Sequence, residues 1–400
     1  ISLFLESSCK EEGFKSIQND RLLYPPDPTE ISAQLGGTAA TNAAGARSFH
    51  YGPSRIHING LKVVLANADT LTIRRGEYTE SNNQFSIQTN EGTTLTIPLP
   101  SYESPQIKNS AGYYMKKGMD LIDLFIGSEG TLGIFTEITV KLVEKPQIVS
   151  GLTFLNSREQ AFQFADTLRG KNNILAIEYF DSTALNFFTL NKMIISIPVP
   201  DFPPNKSYAV YWEYDNKEKN FEEKLGEWEE ELLALNISME DTWSGIDKKD
   251  NKRLKGLRHS IPELINQKIA KIKQQYPEVR KVGTDTVFPS GNFIRGFKQY
   301  VKLIEESNLY CIVYGHLGDY HLHFNIIPHD KAEYEKALDV YSKLMKIAVG
   351  FGGTISGEHG IGKLKKPYLH MMYNKKELEQ MKRIKNALDP QGLLCPGNLF

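Results

Sequence analysis

The sequence predicts an α+β protein built from two units, and three observations carry that reading. Its 400 residues exceed what one hydrophobic core ordinarily serves, so two domains are the default. Up to about residue 145 the chain is rich in glycine, asparagine, threonine and short β-type runs. Beyond Pro146, strands alternate with longer amphipathic helices, which reads as a helix-covered sheet whose strand order the sequence leaves open.

In the first unit, strands are expected over residues 61–65, 93–98 and 134–143. Glycine-dense loops lie between them. Gly36-Gly37-Thr38-Ala39-Ala40-Thr41-Asn42-Ala43-Ala44-Gly45 is nearly free of bulky side chains, which lets backbone amides approach a ligand closely. Gly127-Ser128-Glu129-Gly130-Thr131-Leu132-Gly133 has the same character. Beside the rigid Tyr24-Pro25-Pro26-Asp27-Pro28 run, the two loops point to a large phosphate-bearing cofactor.

In the second unit, strands are expected over residues 151–155, 208–214 and 310–314. Phe221, Leu225, Trp228, Leu232 and Leu235 recur at spacings of four and three, as do Tyr334, Leu338, Tyr341, Met345 and Ala348. These are the core stripes of amphipathic helices. A helix over residues 375–388 is closed by Asp389-Pro390-Gln391-Gly392. The lysine-rich stretches 248–255 and 268–281 read as solvated helix faces.

Composition excludes several functions. A formal net charge of −1 with mixed signs throughout leaves no electrostatic footprint for nucleic acid. Cys9, Cys311 and Cys395, far apart in the chain, argue against a disulfide framework and are too few for an iron–sulfur cluster. No apolar run reaches the length of a membrane span. A cytoplasmic protein, peripheral to a membrane at most, is expected. Ile1 reads as an interior position, which leaves room for an organellar targeting segment upstream.

The chemistry concentrates in two stretches, Gly315-His316-Leu317-Gly318-Asp319-Tyr320-His321-Leu322-His323-Phe324-Asn325 and Gly353-Thr354-Ile355-Ser356-Gly357-Glu358-His359-Gly360. Histidine is the commonest metal ligand and the side chain that moves protons near neutral pH. His316 and His323 would face opposite sides of an unbroken strand, so they converge only across a bend, which Gly318-Asp319 supplies. His321 and His323 share a strand face directly. The residues leave both pairs open as ligands. Adjacent Glu358 and His359 must diverge, which gives a metal the carboxylate and frees the imidazole as a general base.

These motifs resemble a family. Tyr24-Pro25-Pro26-Asp27-Pro28, Gly36-Gly37 with Thr41-Asn42-Ala43-Ala44-Gly45, Lys108-Asn109 with Ala111-Gly112-Tyr113, and the loop at 127–133 look like the flavin domain of FAD-linked oxidoreductases of the vanillyl-alcohol-oxidase superfamily. The stretch at 315–325, Ser356-Gly357-Glu358-His359-Gly360-Ile361-Gly362 and Leu388-Asp389-Pro390 with Pro396-Gly397 resemble its D-2-hydroxyacid dehydrogenase branch. That branch covers glycolate oxidase D subunits, D-lactate dehydrogenases and D-2-hydroxyglutarate dehydrogenases. The likeness runs from about Tyr24 to Phe400.

The resemblance implies a partial FAD-binding domain of the PCMH type over residues 1–146, lacking the N-terminal pyrophosphate-binding subdomain. It further implies a cap domain over 147–385, an antiparallel sheet covered by helices, and a segment 386–400 returning to the FAD domain. FAD would lie along Pro25, Pro26, Gly36, Gly37, Thr41, Asn42, Gly45, Asn109, Gly130, Thr131 and Ile134. A divalent metal, zinc, would be held by His316, His323 and Glu358. His359 would be the base, Arg258 would bind the substrate carboxylate and Asn325 would contact the substrate or the metal's surroundings. The implied partners are a small 2-hydroxy acid, an electron-accepting protein or quinone, and a second copy in a homodimer. The alternative is a non-catalytic or partner-dependent subunit of the same family that does not hold FAD alone. Gly283 and Cys395 stand where the family commonly has lysine and asparagine, and Tyr320-His321 where it commonly has Gly-Asn. Substrate preference therefore does not transfer from any one relative.

Overall fold

Antiparallel pairing organises the chain on both sides of Pro146. The computed structural model describes residues 21–26, 32–195, 201–218 and 221–400; Cys9, Asp27 and Pro28 lie outside the described residues. In the first unit, β1 (Leu22–Leu23) pairs with β7 (Val143–Glu144). β2 (Ile58–Val64) is the centre of a three-stranded sheet between β3 (Thr70–Arg74) and β6 (Ile134–Val140). β4 (Gln84–Gln88) and β5 (Thr94–Pro98) form a hairpin. Buried and exposed residues alternate along β3 and β4, as half-buried strands require.

Two expectations for this unit need correction. The strand expected over 134–143 is split, because Ile58, the partner of Val140, is the last residue β2 offers. The stretch 36–45 is not a loop throughout. It opens with helix α1 (Leu35–Thr41), whose alanines favour a helix and whose glycines sit in the first turn. Asn42 ends it in the left-handed conformation, φ 50°.

The second unit is a seven-stranded sheet in the order β11 (Thr242–Gly245), β8 (Ile148–Leu155), β10 (Tyr208–Asp215), β9 (Ile174–Phe180), β13 (Cys311–His316), β14 (His321–Ile326), β12 (Val282–Gly283). Every pairing in it is antiparallel, and helices cover it as expected. One face is apolar. Phe162 of α2 (Arg158–Arg169) meets Tyr179, Trp228 of α4 (Phe221–Ala234) meets Trp212, and Phe297 and Tyr300 of α6 (Phe293–Ser307) meet Phe324. α7 (Lys331–Gly350) adds Leu344 and Met345 to this core. On the opposite face, α3 (Ser182–Asn191) and α5 (Lys248–Gln275) bury Phe154, Phe180, Tyr211 and Ile312. That second face turns polar toward β13 and β14, and there the candidate site residues collect.

Gly151 shows how tightly the apolar face is packed. It pairs with Trp212, and a Cβ built on it would overlap the indole, whose Nε1 donates to Thr153 Oγ1 at 3.1 Å. Gly151→Ala is expected to destabilise the fold by about 1–3 kcal/mol, the usual result of overpacking. A denaturant titration that moves less than this would mean the indole rotates away freely.

A buried ion pair ties the units together. Arg47, just after the first glycine-rich stretch, places Nε 2.6 Å from Glu213 Oε2 on β10, and Tyr211 donates to the other Glu213 oxygen at 2.7 Å. Burial pushes the Glu213 carboxyl up, but Arg47 outweighs it and the net shift is below the ordinary 4.5. A carboxylate depressed on folding contributes stability above its unfolded pKa and loses it as pH falls through the folded value. The wild-type melting temperature should therefore fall below pH 4.5. Glu213→Gln should lower stability at neutral pH and flatten that acid limb, which thermal melts across pH 3–6 check; an unchanged limb would remove the pair from the acid response.

α8 (Lys375–Leu388) begins with a capping box formed by Asn374 and Glu377 and runs over the residues expected. Its far end and the segment beyond return to the first unit. Lys385 donates to Thr131 O at 2.8 Å, and Phe400 packs edge-on against Tyr113.

Candidate active site

The β13–β14 hairpin brings the histidines together. Its register sets His316 opposite His321 and Tyr314 opposite His323, so all four side chains share one face of the sheet. The bend lies where the sequence places it, in the 3-10 turn Leu317–Asp319, but the left-handed residue is Tyr320, φ 55°. Arg169 from α2 stabilises it: the guanidinium lies 4.0 Å over the Tyr320 ring and donates to Leu317 O and Gly318 O at 2.6 and 3.2 Å.

Glu358 arrives from the loop beyond α7 and completes a cluster. Ligand atoms of His316, His321, His323 and Glu358 all lie within 4.8 Å of one another. His316 Nδ1 meets Glu178 Oε1 at 2.6 Å, and its Nε2 lies 3.2 Å from Glu358 Oε1. Glu178 accepts Arg258 Nε at 3.1 Å through its other oxygen. Lys108 reaches from the first unit to Glu358 Oε1 at 2.6 Å and to Asp319 at 3.1 Å. Asp285, fully buried, sits behind the cluster, 3.1 Å from His321 Nε2 and 2.6 Å from Lys365 Nζ.

These contacts set the electrostatics. Burial pushes the Glu178 carboxyl up, but His316 and Arg258 override it and hold it at about 2. Burial likewise opposes ionisation of Glu358 and Asp285, yet His316 with Lys108, and His359 with Lys365, hold them well below the usual carboxylate range. Burial pushes the His316 imidazole down, and the carboxylates of Glu178 and Glu358 lift it to about 9. Burial dominates at His321 and His323 and lowers both. The pocket thus favours a cation against Glu358 and keeps His321 and His323 neutral, as ligation requires, whereas His316 holds its proton between two carboxylates and would release it to an incoming metal.

The cluster opens onto a cleft of about 850 Å³. His316, His323, Glu358, His359, Arg258 and Asn325 all line it, and so does Thr41 from the first unit. Arg258 is buried rather than a surface arginine of α5. Asn325 points its amide at the carbonyls of Ile312 and His323 at 3.4 and 3.3 Å. His359 diverges from Glu358 as adjacency requires: its side chain is 63% exposed, its ring stacks 5.8 Å from His323, and Nδ1 lies 3.6 Å from Asp285 Oδ2.

The donor set fits a divalent ion. Both ring nitrogens of His321 are buried without a hydrogen bond of proper geometry. Such orphans are costly unless something accepts them. Three imidazoles and one carboxylate are donor types that suit zinc, and His316, His321, His323 and Glu358 would hold it.

Residues 144–399 match the family described as FAD linked oxidases, C-terminal domain, and residues 14–74 match an FAD binding domain. The chain belongs to the FAD-linked oxidases. This FAD-linked oxidase is 27% identical to the glycolate oxidase subunit GlcD of Bacillus subtilis, covering 96% of this chain and 72% of the relative. It is 29% identical to a D-2-hydroxyglutarate dehydrogenase of Xanthomonas citri, covering 99% and 73%, and 27% identical to a D-lactate dehydrogenase of Archaeoglobus fulgidus, covering 94% and 72%. Among solved structures, a 4-ethylphenol oxidase from Gulosibacter chungangensis superposes with a TM-score of 0.59 at 15% identity, over 95% of this chain and 72% of that one. An alkyldihydroxyacetonephosphate synthase superposes with a TM-score of 0.54 at 17% identity, over 94% of this chain and 60% of that one. Both share the fold.

The remaining flavin candidates of this oxidase do not line the cleft. The two glycine-rich stretches meet, with Gly127 and Glu129 amides donating to Ala39 and Ala40 carbonyls at 3.0 and 2.8 Å. Asn42 accepts the Arg55 amide at 2.9 Å, and Gly45 donates to Ser48 Oγ at 2.8 Å. Gly36 and Gly37 have open space where a Cβ would be. Pro25 and Pro26 are buried, Asn109 accepts Thr354 Oγ1 at 2.6 Å, and Thr131 bonds Tyr113 OH at 2.7 Å. Gly130 lies against Cys395, and Ile134 is 57% exposed.

Sequence reasoning assigned no role to Glu178, Asp285, Lys108 or Lys365. Glu178 carried a signal, an acidic residue inside the apolar run of β9. Lys281 requires a correction. It belongs to no helix face; it is exposed but lines the cleft near Asn325, where partial desolvation lowers its ammonium pKa.

Proposed function

We propose that this chain oxidises a small D-2-hydroxy acid to its 2-oxo acid in an FAD-dependent, metal-assisted reaction. The observation that carries the reading is the His316, His321, His323 and Glu358 cluster opening onto one cleft with His359, Arg258 and the flavin-unit residue Thr41. In this reading residues 1–146 form the FAD-binding unit, 147–385 the substrate unit and 386–400 the returning segment. His316, His323 and Glu358 hold the metal, with His321 as fourth ligand. When bound, the metal supplies Lewis acidity toward the substrate oxygens and FAD supplies the hydride-accepting N5.

The chain's own residues do the rest. Glu178 receives His316 Nδ1 and so turns Nε2 toward the cluster, the usual service of a carboxylate behind a ligating histidine. Arg258 offers a planar guanidinium to the substrate carboxylate, and Asn325 an amide. His359, on the solvent side, takes the hydroxyl proton, oriented by its amide bond to Asp285 at 3.0 Å. Electrons leave through a partner protein or a quinone.

The visible spectrum of the purified chain, with a metal assay on the same sample, tests the reading. Flavin bands near about 370 and 450 nm that bleach with D-lactate or D-2-hydroxyglutarate are expected. A colourless protein that still holds zinc would overturn autonomous catalysis and favour the partner-dependent subunit.

A further inference from the structure

The loop bearing Glu358 and His359 hangs by its backbone amides from two different parts of the protein. Ser356 N–H donates to Thr354 Oγ1 at 3.2 Å and Gly357 N–H to the Asp285 carbonyl at 2.7 Å. Glu358 and His359 donate to the Asp285 carboxylate at 3.2 and 3.0 Å. Gly360 donates to Ser110 Oγ at 3.1 Å, and Ile361 and Gly362 donate to the two oxygens of Glu129 at 2.6 Å each. Asp285 follows the substrate sheet, whereas Ser110 and Glu129 belong to the first unit. The site loop therefore bridges the two.

Glu129 occupies an unusual position. It sits between Gly127 and Gly130 with φ 55°, a conformation that side chains with a Cβ avoid. Its amide is tied to Ala40 O at 2.8 Å, so the end of α1 and the second glycine-rich loop together place its carboxylate. Gly360, φ 70°, lets that carboxylate come close; a Cβ there would stand 2.7 Å from Glu129 Oε1. Motion of the glycine loop must move residues 361 and 362, and through them Glu358.

We propose that Glu129 is a positioning residue that couples the flavin-side glycine loop to the Glu358–His359 pair, so that FAD and the divalent metal bind with positive cooperativity. This rests on the FAD and metal reading above. The sign follows from ordering. A ligand that fixes the glycine loop also fixes Glu129 and the site loop, and a metal then joins a cluster already ordered. By linkage, each ligand tightens the other by the same factor.

The test uses the full chain and its Glu129→Gln variant, which keeps the side-chain shape but turns an NH2 toward one of the two donors. Zn(II) affinity is measured by chelator competition with and without FAD, and amide hydrogen exchange is followed across residues 357–362. In the wild type, FAD should tighten Zn(II) about fivefold or more. In the variant, Zn(II) affinity should fall about tenfold, as for other groups that orient ligands. The FAD effect should vanish there, and the Glu358 and His359 amides should exchange faster although their bonds to Asp285 are untouched. Faster exchange confined to Ile361 and Gly362, or wild-type Zn(II) affinity indifferent to FAD, overturns the proposal. A wild type that takes up no Zn(II), while Glu358 and His359 exchange still responds to the substitution, sinks the metal reading and upholds the positioning role. Should Glu129→Gln fail to fold, the wild-type comparison still decides whether FAD and the metal bind cooperatively, and indifference there overturns the proposal.

Discussion

Glu358→Ala is expected to abolish divalent-metal binding. Glu358 is the sole carboxylate in the four-residue cluster, and its Oε1 lies 3.2 Å from His316 Nε2 and 2.6 Å from Lys108 Nζ. Groups that merely orient ligands change metal affinity about 10–100-fold, so loss of the anionic ligand itself should exceed about a hundredfold. The substitution also leaves Lys108 buried with Asp319 alone, and breaking a buried pair costs about 3–5 kcal/mol. Glu358→Gln, which keeps the volume, separates the two effects: metal should be lost in both variants, with less stability lost in the glutamine form. Metal content by atomic spectrometry together with thermal melts reads this out. Retention of stoichiometric metal in either variant would remove Glu358 from the ligand set.

His359→Ala should behave in the opposite way. Its ring is exposed to the cleft, outside the four-residue cluster; its side chain makes a 3.6 Å contact to Asp285 Oδ2 and a 5.8 Å stack on His323, and its backbone amide bond to Asp285 is one that any residue supplies. Metal content, flavin content and stability should therefore stay close to wild type. Turnover should fall by about 10²–10⁴-fold, the usual worth of a positioned general base. Single-turnover bleaching of the flavin by substrate checks it directly. Full activity would assign the proton to another group, and loss of metal would mean that His359 serves the cluster.

Much of this was legible from residue order. The periodic stripes at 221–235 and 334–348 become helices α4 and α7, and α8 is bounded as its cap and breaker residues indicate. The divergence of Glu358 and His359 follows from adjacency alone. Three features were not legible. Alanine-rich residues around Ala39 win a helical turn where glycines indicate a loop. Tyr320 takes the left-handed position because Arg169, far away in the chain, packs on its ring. Lys281 is exposed, as its stretch suggests, but the chain places it at the cleft rather than on a helix face.

What the sequence by itself determined is the inventory of chemistry: two histidine-bearing stretches, the glycine-dense loops, an α+β order of elements and a strand over 310–314 followed by a bend at Gly318-Asp319. These depend on near neighbours, whose backbone preferences and face periodicity act within a few residues. The tertiary structure alone decided that His321 joins His316 and His323, because the β13–β14 register sets it opposite His316. It also decided that Glu178, Asp285 and Lys108 neutralise and brace the cluster, and that Glu129 reaches the site loop from the first unit. Such contacts join residues separated by long stretches of chain. They are specified by strand register and by the need to pair buried charge, and neither leaves a trace in local composition.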